Sequence, residues 1–290
     1  MSNEWGRSEG RDEPRLYEIP GHKKPMVSVT TVLKVYGDFL WAHLYEINKH
    51  VEELSIAHAQ KRQVDYWMEH EGKWHKTKVN AAVALMDGKG VSQAGLRALK
   101  RSAEAGNLRH HMLEDFSHGV VVHPNEIREW AMEKILDHDY GLDVATAVPS
   151  LTRLSEWLWR WKPKIVVSEA KCYHYKLRYA GTFDCIMEVD HPLFKGGVVD
   201  VKPDRFERRY IAQLAAYARA THLFADDGKR MPMPKGLGAA VLMVGDERAG
   251  LRPIGASMLN EYWKKMFKPA LECWNAQSLA LPDKGKLVWA

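Results

Sequence analysis

Between Tyr179 and Ala220 the chain reads YAGTFDCIMEVDHPLFKGGVVDVKPDRFERRYIAQLAAYARA, and few folds accommodate that stretch. Tyr179 to Val189 is rich in β-branched and aromatic residues, and His191-Pro192 with Gly196-Gly197 offers turn chemistry. Val198, Val199 and Val201 then form a short apolar run that stops at Pro203. The pattern predicts a β-hairpin whose second strand is mostly buried. Asp200 and Lys202 are two apart, so both project from one face of that strand. Asp184 on the partner strand reaches the same face if the register allows. A helix should follow, with Gln213 and Tyr217 four apart on one side of it.

Two carboxylates and a lysine on adjacent short strands are what a magnesium ion and an activated water need to cut a phosphodiester. Magnesium binds through one or two carboxylates and keeps several waters. Asp184 and Asp200 would supply the carboxylates and the Val201 carbonyl a third ligand. Lys202 beside them would orient the water and stabilise developing negative charge. Gln213 and Tyr217 would line the site and touch water or the DNA backbone. The acidic-x-Lys triplet alone is weak evidence, since roughly two are expected by chance at average composition. This chain has Glu71-Gly-Lys73, Asp87-Gly-Lys89, Glu169-Ala-Lys171, Asp200-Val-Lys202 and Asp227-Gly-Lys229. Only Asp200-Val-Lys202 ends an apolar strand, follows Gly-Thr-Phe-Asp184 and precedes an amphipathic helix.

The order Gly-Thr-Phe-Asp184, Asp200-Val-Lys202, Gln213-x-x-x-Tyr217 resembles the PD-(D/E)XK nuclease superfamily, and within it the RecB-type and phage exonuclease branch. Gly106-Asn-Leu-Arg-His110-His-Met-Leu-Glu114 fits the Gly-x-x-x-His-x-x-x-Glu element of that branch, and Ser28 to Leu33 is similar to the opening of phage members. The resemblance runs from about Val27 to near Trp274. It implies a restriction-endonuclease-like α/β core, a central mixed β-sheet flanked by helices. It also implies that His110 is a further metal ligand and that Glu169 lies beside the site, with Mg2+ or Mn2+ as cofactor and DNA as partner. The chain departs from the usual pattern in having Phe183 where a proline commonly stands and Asp200 in place of glutamate. Cys172, Cys185 and Cys273 show no Cys-x-x-Cys spacing, so no iron–sulfur cluster is expected. A zinc site from His110, His111, His118 and His123 is the competing reading; it lacks paired cysteines and a closed ligand spacing.

The net charge of +5 suits a nucleic-acid partner without requiring one. Arg205, Arg208 and Arg209 directly follow the proposed catalytic strand; they either grip phosphates or form a solvated helix start. Trp157 and Trp161 share a helix face and, with Trp159, form either a base-stacking platform or ordinary core. No apolar run approaches membrane-spanning length and no signal-peptide core is present, so a cytoplasmic protein of a bacterial or phage-infected cell is expected.

Residues 1–24 read as a flexible tail and 25–290 as a single nuclease domain, with 25–162 mainly helical and 163–290 the α/β core. Phe39 to His70 lacks glycine and proline, which suggests helix; Gly88 to Gly90 and Gly119 to Pro124 read as connections. A second hairpin is expected at Ala239 to Val244 and Leu251 to Ala256, then a helix from about Leu259 with a kink or break at Pro269. These features together suggest a metal-dependent exonuclease working from DNA ends in phage-type recombination, repair or replication, with a single-strand-binding or recombination protein as a further partner. The alternatives are a structure-specific DNA endonuclease and a catalytically silent nucleic-acid-binding subunit.

Overall fold

The structure, a computed structural model, describes residues 14–36, 49, 51, 53–57, 60–70, 73–80, 88–224 and 228–277. Most of the expected N-terminal tail, residues 1–13, lies outside the described residues. Within the remainder of it, Leu16–Tyr17 (β1) pairs with Met26–Ser28 (β2). Ser28 ends β2 and caps a short helix, Val29–Leu33 (α1), by accepting the Thr31 N–H at 2.9 Å. The chain divides into two compact units, one of 1–36, 106–139 and 143–290, the other of 37–105 and 140–142.

The second unit corrects the expectation of helix up to His70. Gln63–His70 (β3) and Lys73–Asn80 (β4) form an antiparallel hairpin, paired from Gln63↔Asn80 to His70↔Lys73. Absence of glycine and proline permits a helix but does not specify one. The β-branched and aromatic content of Val64, Tyr66, Trp67, Trp74, Thr77 and Val79 favours strand. A long helix, Gly88–Ser117 (α2), begins at the glycines expected to be a connection, where a first helical turn tolerates them. Its residues from Gly106 onward belong to the first unit.

In the first unit follow helices Ile127–Asp137 (α3) and Val144–Trp161 (α4), the latter capped by Asp143 through the Ala145 N–H. Then come Lys164–His174 (β5), Tyr179–His191 (β6), Phe194–Pro203 (β7) and helix Arg208–Tyr217 (α5). His222–Phe224 (β8), Arg230–Pro232 (β9), Gly238–Val244 (β10) and Ala249–Ile254 (β11) complete the strands. The chain then runs through Ala256–Tyr262 (α6), a π-helical turn at Trp263–Phe267 and Lys268–Gln277 (α7). The expected interruption of the last helix is thus this wide turn, just before Pro269.

The result is a mixed α/β fold. Among the described residues nine strands form one sheet in the order β11-β10-β7-β6-β5-β8-β9, with β2 joined to β6 and β1 to β2. β10 lies parallel to β7 and β2 parallel to β6, and the remaining pairs are antiparallel. β7 is therefore central and buried, as its valines require. α5 packs on β7 and β10, and α4 on β6, β10 and β11. Seven of the ten α5 residues are buried, including Ala212, Ala215 and Ala216, while Arg208 is exposed and Arg209 and Gln213 are half-buried. Small side chains let α5 approach the sheet closely. Among the described residues no helix is long and apolar enough to cross a membrane.

Gly196 and Gly197 lie within β7, not in the hairpin turn, which closes at His191↔Phe194. Their smallness serves the parallel contact with β10. Gly197 pairs with Gly238 and has a φ of 148°, and a Cβ there would sit 2.0 Å from the Gly238 carbonyl oxygen. Gly197→Ala is therefore expected to destabilise the fold by on the order of 3 kcal/mol. Urea unfolding of the variant beside the parent measures this, and an unchanged midpoint would contradict the packing described.

Candidate metal centre

The β6–β7 ladder ends at Cys185↔Val199, leaving Asp184 and Asp200 at the point where the two strands part. Here a side chain takes over from the ladder, for Asp184 Oδ2 accepts the Val201 backbone N–H at 2.6 Å. That bond brings Asp184 to the Val201 backbone, one residue from Asp200. One strand away, the pairs Ser168↔Cys185 and Ala170↔Phe183 bracket Glu169 at the level of Asp184. Glu169 has a φ of 45° inside β5. For a residue other than glycine this left-handed backbone costs roughly 1–2 kcal/mol, and it re-aims the carboxylate relative to ordinary strand alternation.

α2 supplies the fourth group. His110 Nδ1 lies 3.1 Å from Glu169 Oε1 and 3.4 Å from Asp184 Oδ1. Two turns on, Ser117 Oγ meets Ser168 Oγ at 2.9 Å and donates to the Glu114 carbonyl, tying the end of the helix to the strand that carries Glu169. Gly181 of the Gly-Thr-Phe-Asp motif lies against Tyr217, and a Cβ there would be 2.6 Å from the ring. The Tyr217 hydroxyl accepts from Gln213 Nε2 at 3.0 Å. Burial raises the hydroxyl's pKa well above its ordinary value, and the Asp200 charge adds to that. Gln213 and Tyr217 therefore support the strands from below the carboxylates.

Asp200 is 0% exposed, and neither of its oxygens has an aligned hydrogen bond. Lys202 Nζ is 2.7 Å from Oδ2, a close ion pair whose angle falls short of a hydrogen bond. Burial raises the Asp200 carboxyl pKa to about 6; Lys202 opposes this and Asp184 adds to it. Burial pulls the Lys202 ammonium down, but Asp200 and Asp184 outweigh that and keep it above its ordinary value, hence charged. His110 is raised to about 9, chiefly by Asp184, against burial and with help from Glu169. Glu169 is the nearer carboxylate, but Asp184 is the more buried and its field is less screened.

Among the described residues, His110, Glu169 and Asp184 are the group whose ligand atoms all lie within 4.8 Å of one another. His111, His118 and His123 do not belong to it; His111 stacks on His138 at 4.4 Å. The zinc set considered from sequence is therefore not assembled. Glu114 faces His111 at 3.7 Å. Arg209 is paired with Glu207 at 2.6 Å, Arg205 lies 3.9 Å from the same residue, and Arg208 is exposed. Trp157 is core, whereas Trp159 is exposed and Trp161 lies under Arg160. The sequence reading missed Tyr210, whose ring faces Lys202 Nζ at 5.5 Å. Its place three and seven residues before Gln213 and Tyr217, on the same helix face, was the available signal.

A hard divalent cation suits this donor set of carboxylates with one imidazole, and Asp200 Oδ1, buried and without a hydrogen-bond partner beside the Lys202 pair on Oδ2, is a further oxygen of the kind such an ion prefers. No protein-family model matches the chain, and no curated protein matches its sequence.

The imidazole carries a pH signature. Its pKa rises from roughly 6.5 unfolded to about 9 folded, so its contribution to stability is complete below about pH 6.5 and lost as pH rises through 9. Asp200, also raised, acts in the same sense in a lower window, from about pH 4 to 6. Thermal melting in chelator is expected to show falling stability from about pH 6.5 to 9, and His110→Gln should flatten that slope. An identical slope in the variant would contradict the electrostatics described.

Proposed function

We propose that this chain is a Mg2+- or Mn2+-dependent DNA nuclease with a restriction-endonuclease-like core. The observation that carries the reading is the convergence of Asp184, Asp200, Glu169, His110 and Lys202 where β6 and β7 part, with a fully buried carboxylate that has no aligned donor.

Asp184, Asp200, Glu169 and His110 would hold the cation. The bound ion supplies Lewis acidity and a water of lowered pKa. Net hydrolysis would add a water oxygen to phosphorus, break the bond to the leaving oxygen and pass the proton lost by the water to that oxygen, by way of solvent. Lys202 remains protonated between two carboxylates, so its role is to orient the nucleophile and to stabilise charge on the phosphoryl oxygens, not to accept a proton. Gln213 and Tyr217 hold the strand bearing Gly181 and Asp184 at a fixed distance from α5. End-directed hydrolysis is the form we favour, in phage-type recombination, repair or replication within the cytoplasm. A structure-specific endonuclease would use the same residues.

Asp200→Ala and Lys202→Ala are each expected to lower cleavage by about 100-fold or more while leaving the circular dichroism spectrum unchanged. A time course on linear and covalently closed DNA with Mg2+ or Mn2+ tests both points. Loss of linear DNA alone supports the exonuclease, and cutting of closed circles the endonuclease. Folded variants that still cut normally would sink the site assignment. DNA binding that persists in chelator, with no cutting under any metal, would leave a silent binding subunit.

A further inference from the structure

α2 carries a second cation one residue before His110. Arg109 is 7% exposed, yet among the described residues its one hydrogen bond runs from Nη1 to the neutral Ser150 Oγ at 3.4 Å. Ser150 is itself buried and donates to the Ala147 carbonyl at 3.1 Å, which turns a lone pair toward the guanidinium. Nε and Nη2 have no protein acceptor among the described residues. Unlike the Asp200 oxygens, they are not sealed from solvent. The group is thus anchored at one corner and, among the described residues, unpaired along the rest of its planar fork.

An enclosed guanidinium with five donors and one long, neutral bond is an expensive arrangement unless an anion completes it. No carboxylate comes within ion-pair distance among the described residues. Burial lowers the guanidinium's affinity for its proton, and Asp246 and the Tyr210 hydroxyl offset that only from beyond contact. Tyr210 is also where the other cations gather, with Lys202 Nζ 5.5 Å and the Arg209 guanidinium 5.7 Å from its ring. Three cations therefore act around one tyrosine beside the candidate metal ligands. A planar fork with unpaired donors along one edge matches the paired oxygens of a phosphate.

We infer that Arg109 is a phosphate-binding residue of this site, its free edge taking two oxygens of a strand phosphate next to the one being cut. The assignment to a strand phosphate rests on the nuclease reading above, whereas the anion site itself does not.

Inorganic phosphate is the probe. Thermal melting of the full chain in phosphate, against chloride of equal ionic strength, compares the parent with Arg109→Met, which keeps the apolar stem, and Arg109→Lys, which keeps the charge but not the fork. Phosphate should raise the parent's midpoint more than that of Arg109→Met, with Arg109→Lys between them. For DNA cleavage, Arg109→Met should raise KM by about tenfold or more. Should Arg109→Met fail to fold, a phosphate response in Arg109→Lys smaller than the parent's carries the test. Equal phosphate shifts in all folded proteins, with KM unchanged, would overturn the inference and leave the nuclease reading standing. A differential shift in a protein that cuts no DNA would keep the anion site and remove the strand.

Discussion

A fully enclosed carboxylate, Asp200, lies against an ammonium near the end of the buried strand β7, and the surrounding chemistry depends on that pair. Asp184 raises the Asp200 carboxyl further, and Glu169 shares His110 with Asp184. Two unit charges about 4 Å apart interact by roughly 4 kcal/mol at an effective dielectric of 20, so three carboxylates cannot gather here without cations. Lys202 and the protonated His110 supply two. That balance holds strongly perturbed titratable groups together, a pattern more often found where a ligand is to be bound than in a purely structural core.

The frame around the pair is built for close approach. Gly197 faces Gly238 so that β10 can run parallel to β7, Gly181 makes room for the Tyr217 ring, and an alanine-rich α5 lies directly on the strands. The Ser117–Ser168 bond then fixes where α2 meets β5, and with it how His110 meets Glu169. Each contact is small. Together they bring ligand atoms from β5, β6 and α2 within 4.8 Å of one another, with the β7 carboxylate Asp200 beside them.

The hairpin and its motif were legible in the sequence because strand alternation is local: Asp200 and Lys202 share a face whatever the rest of the chain does. Register is not local, and the meeting of Asp184 with Val201 needed the structure. His110 and Glu169 were reached through resemblance alone; nothing in their own neighbourhoods forecasts a helix and a strand converging 59 residues apart. The positive φ of Glu169 has no signature in a Ser-Glu-Ala run, and Arg109 looks like any helix arginine until its burial is known. Gly196-Gly197 was misread as a turn because glycine also serves close backbone approach, and the sequence does not distinguish the two uses. In the hairpin at 63–80 the strand-forming residues outweigh the absence of helix breakers.

The central claim is that these side chains form a metal centre, and direct cation binding without nucleic acid tests it best. Titration of the metal-free protein with Mn2+, followed by electron paramagnetic resonance of the free ion, should show saturable binding. Asp184→Asn and Asp200→Asn, checked for folding by circular dichroism, should each weaken it by about tenfold or more. Binding that is absent from the parent, or equally tight in the folded variants, would contradict the account.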